Sequence, residues 1–142
     1  MIKTEVHLSG PFFAGPITPK VGKHLDAALQ ELLEKGEARL GQILQKGGAT
    51  PGIQNTAGVY LADGKSTGYY RNNVSGQLRP DHSALITDGG VCYGSWLEGT
   101  SSRNQSTRFR GYQSFKHVHD WLQEQVPAVL EKHAAKLTKD LD

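Results

Sequence analysis

The run PKVGKHLDAALQELLEKGEARLGQILQK, residues 19–46, decides how the rest of the chain is read. Within it Val21, Leu25, Leu29, Leu32, Leu40 and Ile43 recur at three-, four- and eight-residue steps, and Leu33 and Leu44 widen the same stripe. That spacing predicts one amphipathic helix with a single buried face. Thr18-Pro19 supplies its start, because threonine caps well and proline at the first helical position lacks only an N–H that has no partner there. Gly47-Gly48 supplies its stop. Gly36 and Gly41 either weaken the second half or let another element approach closely.

Upstream, Thr4 to Leu8 alternates polar and larger side chains and reads as a short, half-buried strand closed by Gly10-Pro11. Downstream, GGATPGIQNTAG at 47–58 holds four glycines and a proline, and we expect a flexible loop over about 47–66. Strand candidates lie at 59–61, at 68–74 with the pair Tyr69-Tyr70, at 84–87 and at 91–93. Asp88-Gly89-Gly90 joins the last two, and an Asp-Gly step tolerates the positive φ angles of a tight primed turn, so a hairpin is expected over about 83–95. The C-terminal third returns to helical spacing at Tyr112, Phe115, Val118, Leu122 and Val126. Leu130, Ala134, Leu137 and Leu141 continue it past Pro127, which must kink the helix or begin a new segment. A helix over about 112–140 results. The order strand, helix, meander, helix defines an α+β fold, with an antiparallel sheet packed against an N-terminal helix at about 19–46 and the C-terminal helix.

With 142 residues and 37% hydrophobic content, the chain suits one domain spanning 1–142. Its formal net charge of +2 is too small to imply nucleic-acid binding by itself. The single cysteine, Cys92, cannot form an intrachain disulfide, and its strand-like neighbours suggest a small buried hydrophobe in a reducing compartment. The N-terminus lacks the apolar core of a signal peptide, and no apolar run is long enough to span a membrane.

Apparent chemical motifs fail on spacing. Gly64-Lys65-Ser66 resembles the end of a phosphate-binding loop, but the required earlier glycine falls on Val59, and a turn at Asp63-Gly64 is the better reading. His117 and His119 stand two apart, which sends them to different helical faces, unlike the four-residue step of zinc-binding helices. The histidines read as surface or boundary residues, and no metal or cofactor is expected. Asp120 and Glu124 share a helical face with no nucleophile nearby, so no catalytic residue is assigned.

The densest segment is VCYGSWLEGTSSRNQSTRFRGYQSFK, residues 91–116, which has no acidic residue after Glu98. Aromatic residues and arginine are enriched where proteins meet partners, so Tyr93, Trp96, Leu97, Glu98, Arg103, Arg108, Phe109, Arg110 and Tyr112 are the candidates for a subunit interface. Three readings of Arg103, Arg108 and Arg110 stay open: contacts to phosphates, bidentate pairing with acids of another subunit, or a solvated loop. For Trp96 they are a core side chain capping the hairpin and an interface anchor.

The run Tyr93-Gly94-Ser95-Trp96-Leu97-Glu98-Gly99-Thr100, then Ser102-Arg103-Asn104 and Arg108-Phe109-Arg110-Gly111-Tyr112, resembles the signature of small tail-component proteins of long-tailed DNA phages and is similar to the tail-completion (minor tail Z) superfamily. The likeness is specific over 83–116, looser over the N-terminal helix and absent from 47–66. Ser95 stands where the family often has proline. The resemblance implies a sheet-closing turn at Tyr93 to Thr100, and a loop and helix lead-in at Arg103, Arg108, Phe109, Gly111 and Tyr112. It also implies a non-enzymatic virion protein, assembled in the host cytoplasm into a ring, hexameric or dodecameric, at the neck or head-proximal tail end. Neighbouring neck and tail-tube proteins would be its partners, and DNA in the lumen would make weak contacts at most. The alternative from another class is a small DNA-binding module using the arginine loop.

Overall fold

The computed structural model describes residues 2–7, 18–44, 69–108 and 110–141. Along the chain run β1 (Lys3–Val6), α1 (Pro19–Leu44), α2 (Tyr69–Asn72), β2 (Ser75–Arg79), β3 (Ser83–Thr87), α3 (Gly94–Glu98), α4 (Ser102–Ser106) and α5 (Ser114–Leu141). The fold is α+β: a three-stranded antiparallel sheet of order β1-β3-β2 with the two long helices against it. The expected loop 47–66, the strand candidate 59–61, the Gly64-Lys65-Ser66 turn and Phe109 lie outside the described residues, as do positions 45 and 46 of the first helix.

The leucine stripe of α1 becomes the centre of the core. Leu29, Leu32, Leu40, Ile43 and Leu44 are fully buried, and with Ile86 of β3 and Phe115, Val118 and Leu122 of α5 they form one continuous cluster. Gly36 permits close packing here, since a Cβ at this position would lie 2.5 Å from Ile86 Cδ1 and 3.0 Å from Leu122 Cδ1. The start of α1 is as expected, with Thr18 accepting from the N–H of Gly22 through its carbonyl at 2.8 Å.

The helices run antiparallel. Lys20 Nζ donates to the Asp140 carbonyl at 2.6 Å, Glu31 meets Lys132 and His133, and Arg39 reaches His117 at 3.4 Å. α5 passes unbroken through Pro127. The carbonyl of Gln123 loses its helical donor there, but Gln123 and Pro127 are both exposed, so water can replace it. Beyond Pro127 the buried positions are Val129 and His133, with Leu130 and Leu137 half-buried and Ala134 and Leu141 exposed, so the expected stripe of Leu130, Ala134, Leu137 and Leu141 is displaced round the helix.

The hairpin differs from expectation. It joins β2 to β3, with Gln77 opposite Leu85, through Pro80-Asp81-His82. His82 takes φ 59°, the left-handed residue that closes a three-residue hairpin loop. Residues 91–93 form no strand. β3 already has β1 on one edge, pairing Thr4 with Ile86, and β2 on the other, so no free edge remains for them. Gly89 and Gly90 do adopt positive φ, 70° and 79°, but the turn leads into α3 instead. Gly94 N–H bonds Val91 O at 2.9 Å and Leu97 N–H bonds Tyr93 O at 3.1 Å, which winds the chain locally. Of the strand expected at 68–74, position 68 lies outside the described residues, and Tyr69–Asn72 form the single turn α2, closed by Asn73 donating through backbone and side chain to Tyr69 O.

Candidate interaction surface

Asp88 anchors this end of the molecule. It is fully buried, and its Oδ1 accepts the N–H of Ile2 at 3.2 Å and of Gly90 at 2.9 Å, tying the N-terminal strand to the turn. Tyr70 lies beside it, its phenol pushed well above the usual range by burial and then by the charges of Asp88 and Glu98. A turn fixed this way directs the chain outward into α3.

α3 and α4 form a compact unit. Gly99 closes α3 in the left-handed region at φ 102°, and the N–H groups of Gly99, Thr100 and Ser101 all converge on Ser95 O. Ser101 caps α4 in a reciprocal box with Asn104, whose side chain also donates to Trp96 O at 3.1 Å. Arg110 Nη1 then donates to Asn104 O at 2.7 Å, drawing the chain back beneath the unit.

Two glycines cross where it returns. Gly111 has φ 88°, and a Cβ on it would collide with Gly99 Cα, while one on Gly99 would collide with Arg110 O. Only residues without side chains fit both positions. Tyr112 N–H bonds Leu97 O at 2.7 Å just beyond the crossing. The carboxylate of Glu98 accepts from the N–H groups of Phe115 and Lys116 and so caps α5 from a distant segment. Burial pushes the Glu98 carboxyl above its usual range, against the opposing pull of these N–H groups. The sheet-closing turn expected at Tyr93 to Thr100 is therefore a short helix that closes no sheet and instead holds the start of α5. For the same reason α5 begins at Ser114 and not 112, since Gly111 and Gln113 both carry left-handed φ.

The candidate residues divide accordingly. Leu97 packs on the core and Glu98 is buried, so both hold the unit in place. Tyr112 is half-buried at the crossing. Trp96 is half-buried outside the core cluster, with the Arg103 guanidinium 5.9 Å from its ring centroid. Tyr93 is 40% exposed, and Arg103, Arg108 and Arg110 are exposed. Tyr69 joins them at 56% exposure, beside Tyr93, which stacks at a tilt on Tyr70 with ring centroids 5.9 Å apart. The sequence did not single out Tyr69 because the pair was read only as part of a strand; the helical turn α2 buries Tyr70 and leaves Tyr69 on the surface. Cys92 is exposed, not buried, because the strand that was to bury it does not form.

The histidines are structural partners. His117 and His119 point different ways, toward Arg39 at 3.4 Å and Thr4 at 3.0 Å. His24 meets Asp140 at 2.5 Å, His82 meets Asp26 at 2.7 Å, and His133, which is buried, meets Glu31 at 2.6 Å. Asp120 pairs with Lys116 at 3.0 Å on an open face. Among the described residues no group of three or more histidine, cysteine or acidic side chains is placed to hold a metal ion, and no helix is long and apolar enough to cross a membrane. No family model, curated protein or solved structure matches the chain.

Proposed function

We propose that this chain is a non-enzymatic structural protein of the head-to-tail connector of a long-tailed DNA phage, forming a ring of identical subunits around the DNA path. The observation that carries the reading is the α3–α4 unit. A buried carboxylate, a glycine crossing and a capping box fix it on the start of α5, while Tyr69, Tyr93 and Arg103 are exposed and Trp96 is half-buried beneath the Arg103 guanidinium. Rigid, exposed aromatics beside arginine suit a protein contact. Tyr93, Trp96 and Arg103 also carry the likeness to tail-completion proteins, and the glycine crossing gives that motif a physical purpose.

Arg103 lies over Trp96 and Arg110 donates through Nη1 to Asn104 O, so two of the three arginines are held against the unit itself and present their remaining donors from fixed positions. Sedimentation at rising concentration tests the ring. A discrete multimer is expected, alone or with neighbouring neck proteins, and a strict monomer under both conditions overturns the reading.

A further inference from the structure

The sheet ends in two different strands. Among the described residues β1 and β2 each pair with β3 and with no other strand, so each keeps one open edge. Asp88 donates its N–H to the directly opposite Ile2 O at 3.1 Å, and antiparallel pairs alternate from there. Thr4 and Val6 therefore turn their backbone groups toward β3, while Lys3 and Glu5 turn theirs out. Leu85 faces the other way, to Gln77, which leaves the N–H and C=O of Gly76 and Leu78 pointing out from β2. Beside the β1 edge a groove of about 140 Å³ lies against α5, lined by Thr4, Val6, His119, Leu122 and Val126. Its volume is below the roughly 300–1,000 Å³ of small-molecule pockets, which suits a single side chain.

An open strand edge is a template for another extended strand, and a pocket beside it selects that strand's side chain. The fold's other open edge, β2 of a second copy, meets both demands. Leu78 lies opposite Ala84, a core residue, so its side chain stands on the helix side of the sheet, and it is 36% exposed. β1 and β2 both run antiparallel to β3, so a sheet continued from copy to copy pairs them in parallel with all helices on one face. With Glu5 opposite Gln77, that continuation sets Leu78 beside Val6, against Leu122 and Val126. One molecule cannot make this contact, since β3 separates its own two edges. Glu5 adds no unbalanced charge, being held by Lys3 at 2.7 Å and Arg79 at 3.3 Å. We infer that the β2 edge of one copy adds to the β1 edge of the next: Glu5 N–H donates to Gly76 O, Leu78 N–H donates to Glu5 O, and the Leu78 side chain fills the groove. The inference rests on the ring reading and assigns its subunit contact, because two different patches are what head-to-tail association requires.

Proline tests the backbone bonds, because it removes an N–H and is tolerated where that N–H faces outward from an edge strand. In sedimentation, Glu5→Pro and Leu78→Pro should each self-associate about tenfold or more weakly than the unmodified chain. Their equimolar mixture should form a dimer that grows no further, because one intact edge of each kind remains. A cross-link tests the register without relying on either proline variant to fold. Glu5 and Gln77 both lie opposite Leu85, on its two sides. Glu5→Cys with Gln77→Cys, in a Cys92→Ser background, thus sets two thiol-bearing strands about 10 Å apart within one chain, beyond the roughly 7 Å a disulfide spans, but adjacent between copies. Mild oxidation should give a ladder of three or more linked copies. Linked dimers from Glu5→Cys without Gln77→Cys would show β1 pairing with β1 and overturn the head-to-tail contact. A multimer that survives both prolines and gives no ladder overturns the edge pairing but leaves the ring. A monomer throughout, with and without neck proteins and with no ladder, overturns both.

Discussion

The Glu98 carboxylate accepts the backbone N–H of Phe115 at 3.0 Å, and it accepts that of Lys116 at 2.9 Å, so a residue 17 positions upstream caps the longest helix of the molecule. Cap and helix dipole act together there, since negative charge is favoured where unpaired N–H groups converge. Glu98→Ala leaves the buried Phe115 N–H without an acceptor and should destabilise the fold by about 1–3 kcal/mol. Urea denaturation measures the loss, and hydrogen exchange should show the Phe115 amide losing protection before the amides around Val118.

The glycine crossing makes a sharper prediction. Gly111→Ala drives a Cβ into backbone that has no side chain to move aside, whereas at Gly90, also at positive φ, no atom lies within 4 Å of the added carbon. Gly90→Ala should therefore cost only the left-handed backbone term of about 1–2 kcal/mol. Gly111→Ala should cost clearly more, and thermal melts of the two variants compare them directly.

Gly36→Ala sets helix propensity against packing. Alanine gains up to about 1 kcal/mol in a helix interior. Overpacking against Ile86 Cδ1 costs about 1–3 kcal/mol, so a net loss is expected. Ile86→Val removes the clashing atom, and in that background Gly36→Ala should be less harmful than in the native chain. A double-mutant cycle reads the coupling, and strict additivity would refute the contact.

Acid should loosen the far end of the helix pair. The hydrogen bond from His133, joined by Lys132, holds the Glu31 carboxyl below its usual range, so the folded state favours the ionised form. That stabilisation is complete above the ordinary glutamate pKa of 4.5 and is lost as pH falls through the lower folded value. Glu31→Gln should flatten the fall in melting temperature below pH 4.5. An unchanged slope would show that another carboxylate dominates there.

Tyr69→Ser and Tyr93→Ser should change monomer stability by less than about 0.5–1 kcal/mol, because exposed side chains contribute little to the fold that carries them. Tyr70→Ser, one position along, removes a core side chain beside Asp88 and should cost about 3–5 kcal/mol, as loss of a buried aromatic does. Chemical denaturation of the three separates surface from core within a single residue step.

Local chemistry was legible from the sequence. The spacing of Leu25, Leu29, Leu32 and Leu40, the Thr18-Pro19 start and the apolar step from Phe115 to Leu122 fix the long helices because helical periodicity is a property of neighbours a few residues apart. The positive φ angles of Gly89 and Gly90 were legible for the same reason. The path of the chain beyond Gly90 was not, because whether residues 91–93 pair as a strand depends on β3 having a free edge, and β1 and β2 occupy both. The role of Glu98 as a cap, the meeting of Gly99 with Gly111 and the pairing of His133 with Glu31 join residues 12 to 102 positions apart. No spacing rule reaches that far, and packing alone brings those residues together.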